Sequence, residues 1–137
     1  MIVYPAYAYM GKAPSVPDFP FWENGKLNVS TTGSYGFVFY PDENQARLGS
    51  ERTAVFSTDA EGYGKLKFNA VAMGIVGLSI SMIVGGSTVA TSSYTIRSDK
   101  PADFVFTIPE AARRKDVQFK FTNGPATIIF YSIVLTN

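Results

Sequence analysis

The sequence predicts an all-β protein, an antiparallel β-sandwich of about eight strands, with a jelly roll as the expected topology and an immunoglobulin-like sandwich as the alternative. Three observations carry this. From Leu27 onward apolar residues recur with period two, in runs rich in β-branched and aromatic residues and bounded by Gly, Asn, Asp and Ser. The one helix candidate is a single proline-led turn over Pro109–Lys115. The chain is 137 residues long with 46% apolar and 17% charged residues, enough for one compact core and too short for a second.

Residues 1–22 read as an extended arm, and residues 23–137 as the sandwich domain. The arm holds four of the eight prolines (Pro5, Pro14, Pro17, Pro20) together with Tyr4, Tyr7, Tyr9, Phe19, Phe21 and Trp22. Proline removes backbone donors and favours extended conformations, so this stretch is neither helix nor central strand. Its aromatic rings require a surface, because solvated tails are poor in aromatics. That surface is either the arm's own domain or a neighbouring subunit.

Glu23-Asn24-Gly25-Lys26 carries the Asn-Gly signal of a tight turn and leads into a strand over Leu27–Thr32; Tyr35–Tyr40 follows after a Gly-Ser break. Pro41–Ser50 is polar and reads as a surface loop. Arg52–Thr58 is a strand, and Tyr63–Ala72 is another, with Leu66, Phe68 and Ala70 alternating against Lys65, Lys67 and Asn69. Ile75–Val84 is expected to pair with it across Met73-Gly74. After Gly85-Gly86 come short strands at Thr88–Thr91 and Tyr94–Arg97, then Asp103–Ile108. Asp116–Thr122 and Thr127–Leu135 are expected to form a closing hairpin around Asn123-Gly124-Pro125. The last strand is apolar on both faces, so a central position or a subunit contact has to cover it.

Composition excludes much chemistry. With no Cys and no His there is no disulfide, thiol nucleophile, imidazole base or Cys/His metal site. A net charge of +1 supplies no field for polyanions, and Arg113-Arg114-Lys115 is the only basic run, which argues against nucleic acid. The most apolar segment, residues 70–86, is broken by Gly and Ser and is shorter than the ~20 residues of a bilayer span. The opening MIVYPAYAYM shows no basic leader and no cleavage pattern of a secretory signal. Asp42/Glu43 and Asp59/Glu61 lie in polar turns, where acidic side chains serve local hydrogen bonding, so no catalytic pair is assigned. With Asp18 these residues could offer oxygen ligands to calcium, but no Asp-x-Asp-x-Asp-Gly loop is present. No cofactor, metal or enzymatic activity is expected.

Phe37, Phe39, Phe56, Phe68, Phe104, Phe106, Phe119 and Phe121 occupy alternating strand positions and belong in the core. Tyr35, Tyr40, Tyr63 and Tyr94 lie at strand ends or beside glycines, where an exposed ring can stack on a sugar. The strand pattern over residues 24–137 resembles two groups of jelly-roll proteins, the capsid decoration (cement) proteins of tailed phages and the carbohydrate-binding modules. The first resemblance implies a noncatalytic virion structural protein on the capsid exterior, in the host cytoplasm before assembly. It would bind the major capsid protein or further copies of itself, as a homo-oligomer with trimer favoured over dimer, and neither nucleic acid nor membrane. Its partner-binding arm would be Tyr4, Pro5, Tyr7, Tyr9, Phe19, Phe21 and Trp22. The second implies a lectin-like module stacking sugar on Tyr35, Tyr40, Tyr63 or Tyr94. The aromatic arm and the lack of an export signal favour the virion reading, with the glycan-binding module as the alternative.

Overall fold

The computed structural model describes residues 19–29 and 36–137. Two antiparallel sheets face each other across an aromatic core. The strands are β1 (Trp22–Glu23), β2 (Lys26–Leu27), β3 (Phe37–Tyr40), β4 (Gln45–Leu48), β5 (Thr53–Thr58), β6 (Lys65–Ala72), β7 (Val76–Val84), β8 (Ser87–Ile96), β9 (Ala102–Thr107), β10 (Val117–Asn123) and β11 (Ile128–Thr136). One sheet has the order β5-β10-β7-β8, the other β3-β4-β11-β6-β9, and β1-β2 forms a small hairpin. Helix is limited among the described residues to 3-10 turns at Pro41–Glu43 and Glu110–Ala112, and no helix there is long and apolar enough to cross a membrane. The all-β antiparallel sandwich expected from the alternation is the fold observed.

Local chemistry explains the main elements. Asn24 (φ 54°) and Gly25 (φ 77°) both adopt the left-handed region that a two-residue hairpin turn needs between β1 and β2. Alternating burial in β6 and β7 aims Leu66, Phe68, Ala70, Leu78, Ile80 and Met82 inward. Phe37, Phe56, Phe121 and Phe130 meet at the centre, with Phe37 5.8 Å from Phe121 and 5.9 Å from Phe130, both edge to face. The phenylalanines expected in the core are there, Phe104 half-buried against its margin.

Four expectations are corrected. Ile75–Val84 does not pair with the strand before it: β6 bonds to β11 and β9, while β7 bonds to β10 and β8. The closing hairpin is likewise absent, since β10 lies between β5 and β7 and β11 between β4 and β6. Both connections cross from sheet to sheet, which period-two alternation cannot distinguish from a hairpin, because each strand shows the core one apolar face either way. The polar stretch read as loop contains β4, whose polar Gln45 and Arg47 hide a strand that gives the core only two apolar side chains, Ala46 and Leu48, and buries Gln45 as well. The two short strands at 88–97 are one ten-residue edge strand, β8.

The described end of the arm is part of the core. Phe19 (8% exposed), Phe21 (0%) and Trp22 (4%) are buried against the chain's own sandwich, so these three side chains are not presented to a partner. Tyr4, Pro5, Tyr7 and Tyr9 lie outside the described residues.

Candidate functional site

The outer face of the five-stranded sheet gathers exposed apolar and aromatic side chains among planar polar groups. Val38, Val105, Tyr131 and Val134 are all more than a third exposed and all belong to this sheet. The register explains their gathering. β11 loses step with β6 between Phe130 and Ser132, and the extra residue in this bulge is Tyr131. Phe130 and Ile133 therefore both point inward, while Tyr131 emerges on the surface.

Pairing aligns Tyr40 with Gln45 on one side of the bulge and Ser132 with Asn69 and Asp103 on the other. Tyr131 stands between these groups, so the set crosses all five strands, roughly 19 Å at ~4.8 Å per strand. The neighbouring rows are Val38–Arg47–Ile129–Val71 and Val134–Lys67–Val105. The Arg47 guanidinium lies 4.4 Å from the Tyr40 ring centroid, and its Nε donates to Gln45 Oε1 at 2.7 Å. Its terminal nitrogens make no hydrogen bond among the described residues. Asn69 Nδ2 donates to Asp103 Oδ1 at 3.0 Å, which sets an amide and a carboxylate side by side on the surface.

A cleft of about 490 Å³ adjoins this face and shares Val134 with it, with Phe19, Trp22, Asp59, Glu61 and Tyr63 among its other walls. Trp22 is fixed there. Its indole N–H donates to Asn44 Oδ1 (3.1 Å), which also accepts from the Leu27 N–H, while Asn44 Nδ2 donates to the Gly25 carbonyl. Asn44 thus clamps the β1-β2 hairpin to the turn before β4, and Trp22 is a wall, not a platform. Tyr63 is 38% exposed. Asp59 Oδ1 accepts the Glu61 backbone N–H at 2.9 Å, and Glu61 lies 4.0 Å from Lys115. Both carboxylates therefore sit on one turn of one wall. Among the described residues no three acidic groups converge as metal ligands would.

The sequence-derived tyrosines separate by role. Tyr40 lies on the sheet face, Tyr63 borders the cleft, and Tyr35 falls outside the described residues. Tyr94 is a structural latch: its hydroxyl donates to the Val105 carbonyl at 2.9 Å, tying β8 to β9 across the open side of the sandwich. Its ring meets Phe68 at 5.3 Å and Phe104 at 5.9 Å. Burial raises its hydroxyl pKa above the ordinary value of 10.0, opposed in part by a hydrogen bond with Ser92. Sequence reasoning missed Tyr131, Arg47, Asn69 and Asp103, because nothing local marks a bulge or shows which polar faces share a sheet.

No family model matches the sequence, and no curated protein matches it. Solved structures do match the fold. A family 6 carbohydrate-binding module aligns over 91% of this chain and 99% of its own, with 10% identity and a TM-score of 0.55. CBM1 of BiXyn10A aligns over 74% of this chain and 79% of its own (14% identity, TM-score 0.54). A CBM4 module covers 73% and 74% (14% identity, TM-score 0.51). These similarities overturn the virion reading: the chain's neighbours in fold are carbohydrate-binding modules, not capsid decoration proteins, and the capsid role inferred from the arm is withdrawn. The chain has the β-sandwich fold of those modules.

Proposed function

We propose that this chain is a noncatalytic carbohydrate-binding module that takes an oligosaccharide across the outer face of its five-stranded sheet. The observation that carries the reading is the bulge-borne Tyr131, set among Tyr40, Arg47, Asn69 and Asp103. A sugar ring offers an apolar C–H face and a rim of hydroxyls. Tyr131 supplies a ring for the face, while the Asn69 amide, the Asp103 carboxylate and the Arg47 guanidinium supply directional partners for the hydroxyls. The fold similarity to carbohydrate-binding modules supports the same reading. The side chains at hand support the noncatalytic part of this reading. No His or Cys is present in the sequence, and the cleft carboxylates Asp59 and Glu61 share one turn, whereas glycoside hydrolysis needs two carboxyls flanking the scissile bond.

The test is a broad glycan array followed by calorimetry on the selected sugar. Tyr131→Ala is expected to weaken binding at least ten-fold, a loss of about 1.4 kcal/mol or more. Tyr40→Ala should weaken it as well, and Tyr94→Phe should leave it unchanged. No glycan bound by the folded chain, or full affinity retained by the Tyr40→Ala/Tyr131→Ala double variant, refutes the proposal.

A further inference from the structure

We propose that two copies of this chain pair edge to edge through β8, antiparallel about a two-fold axis, so that two four-stranded sheets become one eight-stranded sheet. The two sheets have four outer edges, and three are blunted. On β5 the Ser57 carbonyl accepts the Phe19 N–H at 2.9 Å, and Gly36 lies so close that a Cβ there would meet the Thr53 carbonyl. β9 follows Pro101, carries Asp103 and has its Val105 carbonyl taken by Tyr94. β3 is four residues long. Short strands, charges and side-chain covers are the devices by which sheets avoid pairing with strangers.

β8 has none of them over most of its length. Ser87–Ile96 runs ten residues without a proline or a charge. Beyond its ladder with β7, its backbone makes no hydrogen bond to another backbone group among the described residues. A bulge opposite Met82/Ile83 disturbs the hairpin end and leaves Ala90–Ile96 regular, about 20–24 Å of open edge at ~3.4 Å per residue.

A second copy fits this edge better than another peptide for two reasons. The first is charge: in an antiparallel pair centred near Ser93, Arg97 lies beside the uncharged start of the partner strand and never opposite its own image. The second is side-chain matching. Thr91, Ser93 and Thr95 line one face of the strand, and Thr91 already approaches Ser81 hydroxyl to hydroxyl at 3.2 Å. The two-fold sets Thr91 against the partner's Thr95 and Ser93 against its counterpart, the hydroxyl pairs that favour cross-strand contact. It also satisfies both free edges at once and leaves none exposed.

One strand pair buries less than a standard interface, so the dimer is expected to dissociate on the order of 10–100 μM. Sedimentation velocity of the full chain from about 5 to 500 μM should show monomer converting to dimer, and Thr91→Lys/Thr95→Lys should shift that transition more than ten-fold upward. Because the chain has no native cysteine, single cysteines at 91 to 95 give an independent reading on proteins shown to be folded by circular dichroism. Under mild oxidation one or two neighbouring positions should cross-link, while Thr53→Cys on the opposite edge should not. A chain monomeric throughout that range, a dimer indifferent to the lysine pair, or cross-linking no better on β8 than at position 53 overturns the proposal.

Discussion

Replacing Phe21 by alanine tests whether the proline-punctuated leader begins the core or merely precedes it. Phe21 is fully buried and surrounded by rings, with centroids 5.2 Å from Phe19, 5.7 Å from Phe37, 5.1 Å from Phe39 and 5.3 Å from Phe56, all edge to face. Truncation removes the transfer free energy of the ring and leaves a cavity whose aromatic walls cannot collapse fully, a loss of about 3–5 kcal/mol. For 137 residues the unfolding entropy is about 0.29 kcal/mol/K, so the melting temperature should fall by roughly 10–17 °C. Calorimetry, or circular dichroism with urea titration, measures it. Val89→Ala, at a side chain 46% exposed, is the control and should move stability by less than about 0.5 kcal/mol. A fall under about 3 °C for Phe21→Ala would place this residue outside the cooperative core and refute the reasoning.

Tyr94→Phe keeps the ring contacts but removes the hydroxyl from Val105, and should cost about 1 kcal/mol in denaturant titration at neutral pH. Because burial holds the Tyr94 pKa above 10.0, its contribution is fully present below pH 10.0 and is lost as pH rises through the folded value, so the gap between wild type and Tyr94→Phe should narrow in strong alkali. Asn123→Asp should be far more damaging. Nδ2 of this buried residue faces the carbonyls of Leu48 (3.0 Å), Gly49 (2.9 Å) and Ala126 (2.7 Å), and a carboxylate there offers no donor to any of them. The expected loss exceeds about 3 kcal/mol at neutral pH. The introduced carboxyl should titrate above the usual ~3.9, so the deficit against wild type is smallest below about pH 4 and grows as pH rises; a flat deficit would count against this account.

Where a side chain's environment is set by its own strand, the sequence was readable. Phe68 faces inward because Lys67 and Asn69 face out, and the Asn24-Gly25 turn is encoded by two residues that tolerate positive φ. Strand partnership is not encoded that way. Leu66, Phe68 and Ala70 look the same to the core whether β6 pairs with β7 or with β11, and the sheet-crossing turns at Met73–Ile75 and Gly124–Thr127 carry the same Gly signal as hairpins. Length misleads as well. β4 gives the core only two apolar side chains, and the arm boundary drawn at residue 22 follows proline content, although Phe21 and Trp22 are buried core residues.

The site was less legible than the fold for a related reason: it rests on a departure from periodicity. Strict alternation over the last strand groups Ile129, Tyr131, Ile133 and Leu135 on one face, which would bury Tyr131 if Ile133 is buried. The bulge after Phe130 shifts the phase by one residue, so Ile133 and Leu135 turn toward the core while Tyr131 is left at the surface. Its companions come from four other strands. Tyr40 is brought near through β3 and β4, and Asn69 and Asp103 through β6 and β9, so that residues up to 91 positions away in sequence stand in one band only because β11 occupies the middle of its sheet. Restoring the alternation therefore tests the site without touching its other members. Deleting Tyr131 should draw Ser132 into the vacated step and abolish glycan binding while the sandwich stays folded. Binding that survives this deletion would move the recognition surface away from the five-stranded sheet.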